Sequence, residues 1–225
     1  EEDKVFIRRE DVLKTTTDIF LAMGMPLDDA QLAAEGLLLA DIRGCETHGV
    51  SNMLRNYIQQ FSDGKINPTP NWKIIRETSA VATIEADRSH GLVMCQKAMD
   101  IAIEKARKTG IGAVTIQNST HAGMMAYHSM RAMEHEMIGY AITGGGAIMV
   151  PTYGAEPRLG SVPHTWAVPA GKMPPFVLDI SSSSVAANKI GLLRRTGAKL
   201  LPGLLAGEDG TPIMDERDVP EKANL

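Results

Sequence analysis

Pro68 and Pro70, with a single threonine between them, divide this chain more firmly than any other feature. Proline lacks an amide hydrogen and fixes φ, so the run Ile66-Asn67-Pro68-Thr69-Pro70-Asn71 can extend neither a helix nor a strand ladder. Residues before it carry helical periodicity, and residues after it alternate short apolar runs with helical stretches. The boundary predicts an N-terminal helical subdomain, 1–70, followed by an α/β unit, 71–225.

In the first part, Val12, Leu13, Thr16, Ile19, Phe20 and Met23 recur at helical spacing and Gly24 ends the pattern. A second helix is expected over 26–42, with Asp28 or Asp29 in its first turn and Gly44 past its end, and a third over 54–61. Beyond the prolines, residues 73–76 and 80–85 read as a hairpin, and 91–108 as a helix closed by Gly110. Strands are expected over 111–116, 137–143, 166–169 and 176–180, and helices over 124–136 and 185–196. Helices first, then strands mixed with helices, give an α/β or α+β domain preceded by a helical arm.

The composition excludes several classes. A net charge of -4 lacks the basic balance of a nucleic-acid binder. No window approaches the ~18 apolar residues of a membrane span. The start, Glu1-Glu2-Asp3-Lys4, is acidic and carries no apolar signal segment, and Cys45 and Cys95 form no disulfide framework, so a cytoplasmic location is expected. Aromatics make up only 4% while methionine reaches 13 residues, which leaves flexible thioethers to fill gaps in the core.

Two histidines stand in small-residue turns, Thr47-His48-Gly49 and Thr120-His121-Ala122-Gly123. Histidine titrates near neutral pH, so either can give or take a proton. His48 lies in a connector between helices, where it can reach a substrate or simply cap a helix. His121 lies in a polar turn between a strand and a helix start, a position suited to an anion or a cofactor. His128 and His135 share a helix face two turns apart, too far for one metal, and are expected on a solvated face. No cluster has zinc-ligand spacing, and no metal site is expected. Gly144-Gly145-Gly146 follows a strand and lets backbone approach a ligand closely, but neither a dinucleotide fingerprint of the G-x-G-x-x-G type nor a P-loop is present. The run Asp179-Ile180-Ser181-Ser182-Ser183-Ser184 ends a strand with an acid and opens a helix with hydroxyls, which could cap that helix, hold a ribose or cradle a phosphate.

These residues alone name no reaction. The segment Ala40-Asp41-Ile42-Arg43-Gly44-Cys45-Glu46-Thr47-His48-Gly49-Val50 resembles the type-2 malate/L-lactate dehydrogenase family, whose pattern here is Ala-Asp-x-Arg-Gly-x-x-Ser-His-Gly-Val. The likeness continues in order through Gly110-Ile111-Gly112, Asn118-Ser119-Thr120-His121-Ala122-Gly123, Val150-Pro151-Thr152-Tyr153-Gly154-Ala155 and Pro174-Pro175-Phe176-Val177-Leu178-Asp179-Ile180. The resemblance implies a non-Rossmann fold, a mostly antiparallel mixed sheet flanked by helices. It also implies hydride transfer between NAD or NADP and a 2-hydroxy or 2-oxo acid, in a homodimer with its active site shared between subunits. On the same basis His121 and His48 are the catalytic pair, with His121 slightly favoured as the proton carrier. Gly145, Asp179, Ile180 and Ser181 are implied to contact the cofactor, and Thr47, Asn52 and Arg55 the substrate.

Some positions depart from the family. Asn52 stands where arginine is usual, and Arg55, one turn on, could replace its grip on a carboxylate. Thr47 replaces serine, Gly144-Gly145-Gly146 lacks an Asn-Ser pair, and Val162 stands where asparagine is typical. The cofactor domain is expected to continue past Leu225. The alternative reading is a non-catalytic relative that binds a small acid or nucleotide.

Overall fold

A computed structural model describes residues 6–225, so the acidic start of the chain lies outside it. Three helices open the fold: α1 (Arg9–Ala22), α2 (Leu27–Ile42) and α3 (Val50–Ser62). Gly24 turns the chain at φ +91, a left-handed value that favours glycine, and Pro26 then leads into α2. Helix α2 buries Ala30, Ala33, Ala34 and Leu37, and its three alanines let neighbouring elements approach closely. They join Phe20, Met25, Met53, Tyr57 and Ile66 in one core that also takes in Leu92 and Val93.

Leu92 and Val93 belong to α4 (Gly91–Thr109), the longest helix of the chain, so the helical arm and the α/β region share a core. Helix α4 crosses over between two parallel strands, β2 (Val81–Ser89) and β3 (Ala113–Ser119), and β1 (Lys73–Glu77) pairs antiparallel with β2. Ile84, Ala86, Met94 and Ala98 fill the space between this sheet and α4. The proline linker is tied down: Asp87 Oδ2 accepts from Asn67 Nδ2 and from the Asn71 amide, both at 2.9 Å.

A second sheet is antiparallel throughout, with β4 (Gly139–Ile142), β7 (His164–Val168) and β8 (Phe176–Ile180) side by side. A short pair, β5 (Ala147–Met149) and β6 (Leu159–Gly160), forms the third. One face of the second sheet packs on α5 (Ala126–Arg131), where the Ser129 and Thr165 hydroxyls meet at 2.9 Å. Its other face exposes Tyr140, Ile142, Trp166, Phe176, Leu178 and Ile180. Helix α6 (Ala187–Thr196) and the segment 200–225 complete the structure around Leu200, Leu205 and Ile213.

The antiparallel character expected from sequence is present, divided among three small sheets instead of one, with β2–β3 as the parallel pairing. The helix expected over 124–136 is α5 followed by a 3-10 turn at Ala132–His135. The expectation of a solvated face for both histidines fails at His128, which is 1% exposed. The change to 3-10 geometry alters the rotation per residue, so His135 reaches the surface beside Arg107 while His128 faces inward. No helix among the described residues is long and apolar enough to cross a membrane.

Candidate functional site

The turn that carries His48 is built by Asp41 at the end of α2. Its Oδ2 accepts the Val50 amide at 2.9 Å, satisfying an otherwise free donor at the start of α3. Gly49 makes this possible, since a Cβ there would lie 1.7 Å from Asp41 Oδ1. Between α2 and α3 the 3-10 turn Glu46–His48 holds the imidazole, with Thr47 Oγ1 2.8 Å from His48 Nδ1. Asn52 closes the turn from α3, donating through Nδ2 to the carbonyls of Thr47 at 2.9 Å and Asn188 at 3.3 Å.

His121 sits in the loop between β3 and α5. Thr120 anchors that loop to the start of α4: its Oγ1 accepts from the Gly91 amide and donates to the Ser89 carbonyl, both at 3.1 Å. The backbones are so close that a Cβ on Gly91 would lie 2.3 Å from the Thr120 carbonyl oxygen. Gly123 turns at φ +72, where a Cβ would also collide with Leu92.

The two rings come together. His48 and His121 stack with centroids 5.6 Å apart and planes 12° from parallel. Tyr57 of α3, fully buried, places its hydroxyl 2.8 Å from His121 Nδ1, and the Gly123 amide reaches the same nitrogen at 3.3 Å. A backbone amide can only donate, so Nδ1 is the acceptor and the neutral ring carries its proton on Nε2. Burial holds the Tyr57 hydroxyl well above the usual phenol range, which keeps it a donor. Desolvation first, then the nearby His48, pushes His121 down to about 4. Its outer edge is exposed, so solvent screening tempers that depression. His48 is also lowered by desolvation, but the Asp179 carboxylate opposes the shift.

Asp179, at the end of β8, accepts the Ala126 amide at 2.7 Å through Oδ2. That bond ties the second sheet to the helix following the His121 loop. Desolvation raises Asp179, while the Ala126 bond and His48 hold it down. Ser181 lies just beyond, in a cluster of hydroxyls: Ser161 Oγ is 2.5 Å from Ser181 Oγ and 2.9 Å from Ser183 Oγ, and Ser181 and Ser183 are 3.0 Å apart. These serines bond each other instead of capping a helix, and α6 begins only at Ala187 with no side-chain cap. Gly145 faces the same cluster, and a Cβ on it would stand 3.1 Å from the Ser161 carbonyl oxygen. Ile180 is exposed beside Asp179. Arg55, on the exposed side of α3, has no ion-pair or hydrogen-bond partner among the described residues. A surface hollow of about 540 Å³ between β1 and α4 contains none of these groups.

The turn chemistry of the sequence pointed to His48 and His121 but not to Tyr57, which reads there as one more core position of an amphipathic helix. It also missed His90, which is buried among Phe20, Tyr57 and Phe61 with no hydrogen-bond partner for either nitrogen among the described residues. Burial, with His121 nearby, pushes His90 down to about 3. Tyr57 carries no flanking pattern that could mark it, whereas Ser89-His90-Gly91 repeats the hydroxyl, histidine, glycine order of Thr47-His48-Gly49 and was passed over.

The structure thus defines a class: an α/β protein with no Rossmann unit among the described residues, presenting an imidazole pair next to a carboxylate and a glycine- and serine-lined edge. Comparison with known proteins gives that class a family. Residues 7–225 match the malate/L-lactate dehydrogenase family, and the chain belongs to it. It is 38% identical over 210 residues to a malate dehydrogenase of Pyrococcus abyssi, covering 93% of this chain and 58% of that protein. It is 35% identical over 211 residues to the L-sulfolactate dehydrogenase of Methanocaldococcus jannaschii, covering 94% of this chain and 61% of that protein. The solved malate dehydrogenase of Pyrococcus horikoshii OT3 superposes with a TM-score of 0.89 at 31% identity, over 100% of this chain and 61% of that one. The chain therefore spans about three-fifths of the length of these relatives.

Proposed function

We propose that the chain serves an oxidoreductase that moves a hydride between NAD or NADP and a 2-hydroxy or 2-oxo acid. The observation that carries this reading is the His48–His121 stack, assembled from turns far apart in sequence. Family membership supports the reaction class. A homodimer in the cytoplasm is part of the same proposal and rests on the resemblance and the composition.

Cofactor recognition is assigned to the edge formed by Gly145, Asp179, Ile180 and Ser181. The donor set fits, because three clustered hydroxyls suit a ribose or a phosphate. Positions Gly144 and Gly146 have nothing within 4 Å of a Cβ, which leaves clearance for a ligand. When bound there, a nicotinamide would donate the hydride to a 2-oxo acid or accept it from a 2-hydroxy acid.

The protein's part is to orient the acid and move a proton at one substrate oxygen. His121 presents Nε2–H, a donor that polarises a carbonyl or holds a hydroxyl. Its Nδ1 is committed to Tyr57 and Gly123, so it is a poor proton carrier in this geometry. His48 is assigned the proton, since Asp179 favours its charged form. Thr47 orients that ring through the 2.8 Å contact. Asn52 has spent its amide on two carbonyls and offers a ligand only an acceptor, so the substrate carboxylate is assigned to Arg55.

Oxidation of NADH and NADPH by the intact protein, followed across 2-oxo acids and cyclic imino acids, tests this. Turnover with at least one of them is expected, and Arg55→Met should raise its KM roughly tenfold with little change in kcat. Calorimetric binding of a reduced cofactor without turnover of any acid would favour the non-catalytic alternative.

A further inference from the structure

Helix α5 buries a second imidazole behind the His121 loop. His128 is 1% exposed, and both of its ring nitrogens are engaged. Nε2 lies 2.8 Å from the carbonyl oxygen of Ala122, the residue after His121. Nδ1 lies 3.2 Å from Nε2 of Gln96, a side chain on α4 that is also 1% exposed. A carbonyl only accepts, so His128 donates from Nε2 and its Nδ1 is bare. The Gln96 amide then donates one hydrogen to Nδ1 and the other to the Tyr127 carbonyl at 2.9 Å. Every hydrogen of this pair is used, and its direction is fixed from α4 through α5 to the loop.

Two polar side chains buried this deeply are costly unless they satisfy each other and the groups around them. What they satisfy here is the backbone of the His121 loop. Thr120, on the opposite side of His121, is held to Ser89 and Gly91, so the histidine is pinned through the residue before it and the residue after it. The Gly123 amide, one residue past the pinned carbonyl, is the group that fixes the His121 tautomer.

We propose that the buried His128–Gln96 pair is a positioning device, holding the Ala122 carbonyl so that His121 presents Nε2–H beside His48. This deepens the reading of His121 as a substrate-polarising group and rests on it. Burial also pushes His128 down to about 4, so the pair stays neutral with its donor direction intact at ordinary pH.

The test replaces His128 in the intact protein by phenylalanine, which fills the space without a donor, and by glutamine, which keeps an N–H at the reach of Nε2. His128→Phe is expected to lower kcat about ten- to hundredfold with KM nearly unchanged, the cost of a misplaced catalytic group. Imidazole nitrogen NMR should show His121 passing from a single Nε2–H tautomer to a mixture. His128→Gln should restore the single tautomer and most of kcat. If His128→Phe does not fold, Gln96→Met frees the ring by removing its Nδ1 partner, and it should mix the His121 tautomers and lower kcat in the same direction. A folded His128→Phe or Gln96→Met with wild-type kcat and a single His121 tautomer would overturn the proposal. The NMR reading needs no turnover, so it stands or falls separately from the proposed reaction.

Discussion

One backbone amide separates the tasks of two similar histidines. Gly123 N–H cannot accept, so His121 Nδ1 must, and His121 is left with a donor at Nε2. His48 has a hydroxyl neighbour that can play either part and a carboxylate that favours its cation. Removing that carboxylate should therefore move a pH limb. In the reductive direction His48 must be protonated, and activity falls as pH rises through its pKa. Asp179→Asn keeps an oxygen for the Ala126 amide but loses the charge, so His48 is lowered further and the fall in kcat/KM should come at lower pH. An unchanged limb would place the proton elsewhere. The His121 turn was legible because glycine, alanine and hydroxyl residues surround an imidazole between a strand and a helix start. Its partner Tyr57 was not, because a phenol at an apolar helix position looks like any core residue until the His121 loop is folded over it.

Among the elements, the helices with regular apolar spacing and a glycine stop were readable, α1, α2 and α4 above all. Their pattern is local, and Gly24, Gly44 and Gly110 end them in left-handed backbone. The division of strands into three sheets was not readable, since pairing depends on partners distant in the chain. His128 is hidden from the sequence for the same reason: its partners come from α4 and the His121 loop. At the junction of α4 with that loop, backbone packs directly on backbone. Gly91→Ala drives a Cβ into the Thr120 and His121 carbonyls, which cannot swing aside as a side-chain tip would. It should cost about 1–3 kcal/mol of stability, measured by urea denaturation, and lower kcat as His121 shifts. A stable and fully active variant would show that the loop is less constrained than its contacts imply.

Across the whole molecule, burying neutral histidines gives stability a definite pH dependence. The unfolded chain protonates its histidines below about pH 6.5. The folded chain holds His128 neutral down to about 4 and His90 down to about 3. Protons bind the unfolded state preferentially through that window, so stability is full above it and falls on acidification. Near pH 5 the two residues together should cost on the order of 4 kcal/mol relative to neutral pH, read as a lower urea midpoint. A midpoint unchanged between neutral pH and pH about 5 would mean that neither ring is buried as a neutral group.

The convergence of His48 and His121 on one substrate oxygen is tested most directly by a double-mutant cycle on kcat. Each single alanine variant should lose roughly a hundredfold or more, and the double variant should lose about as much as the worse single one, because groups that share one oxygen act as a unit. Losses that multiply independently, or a single variant with wild-type kcat, would contradict it.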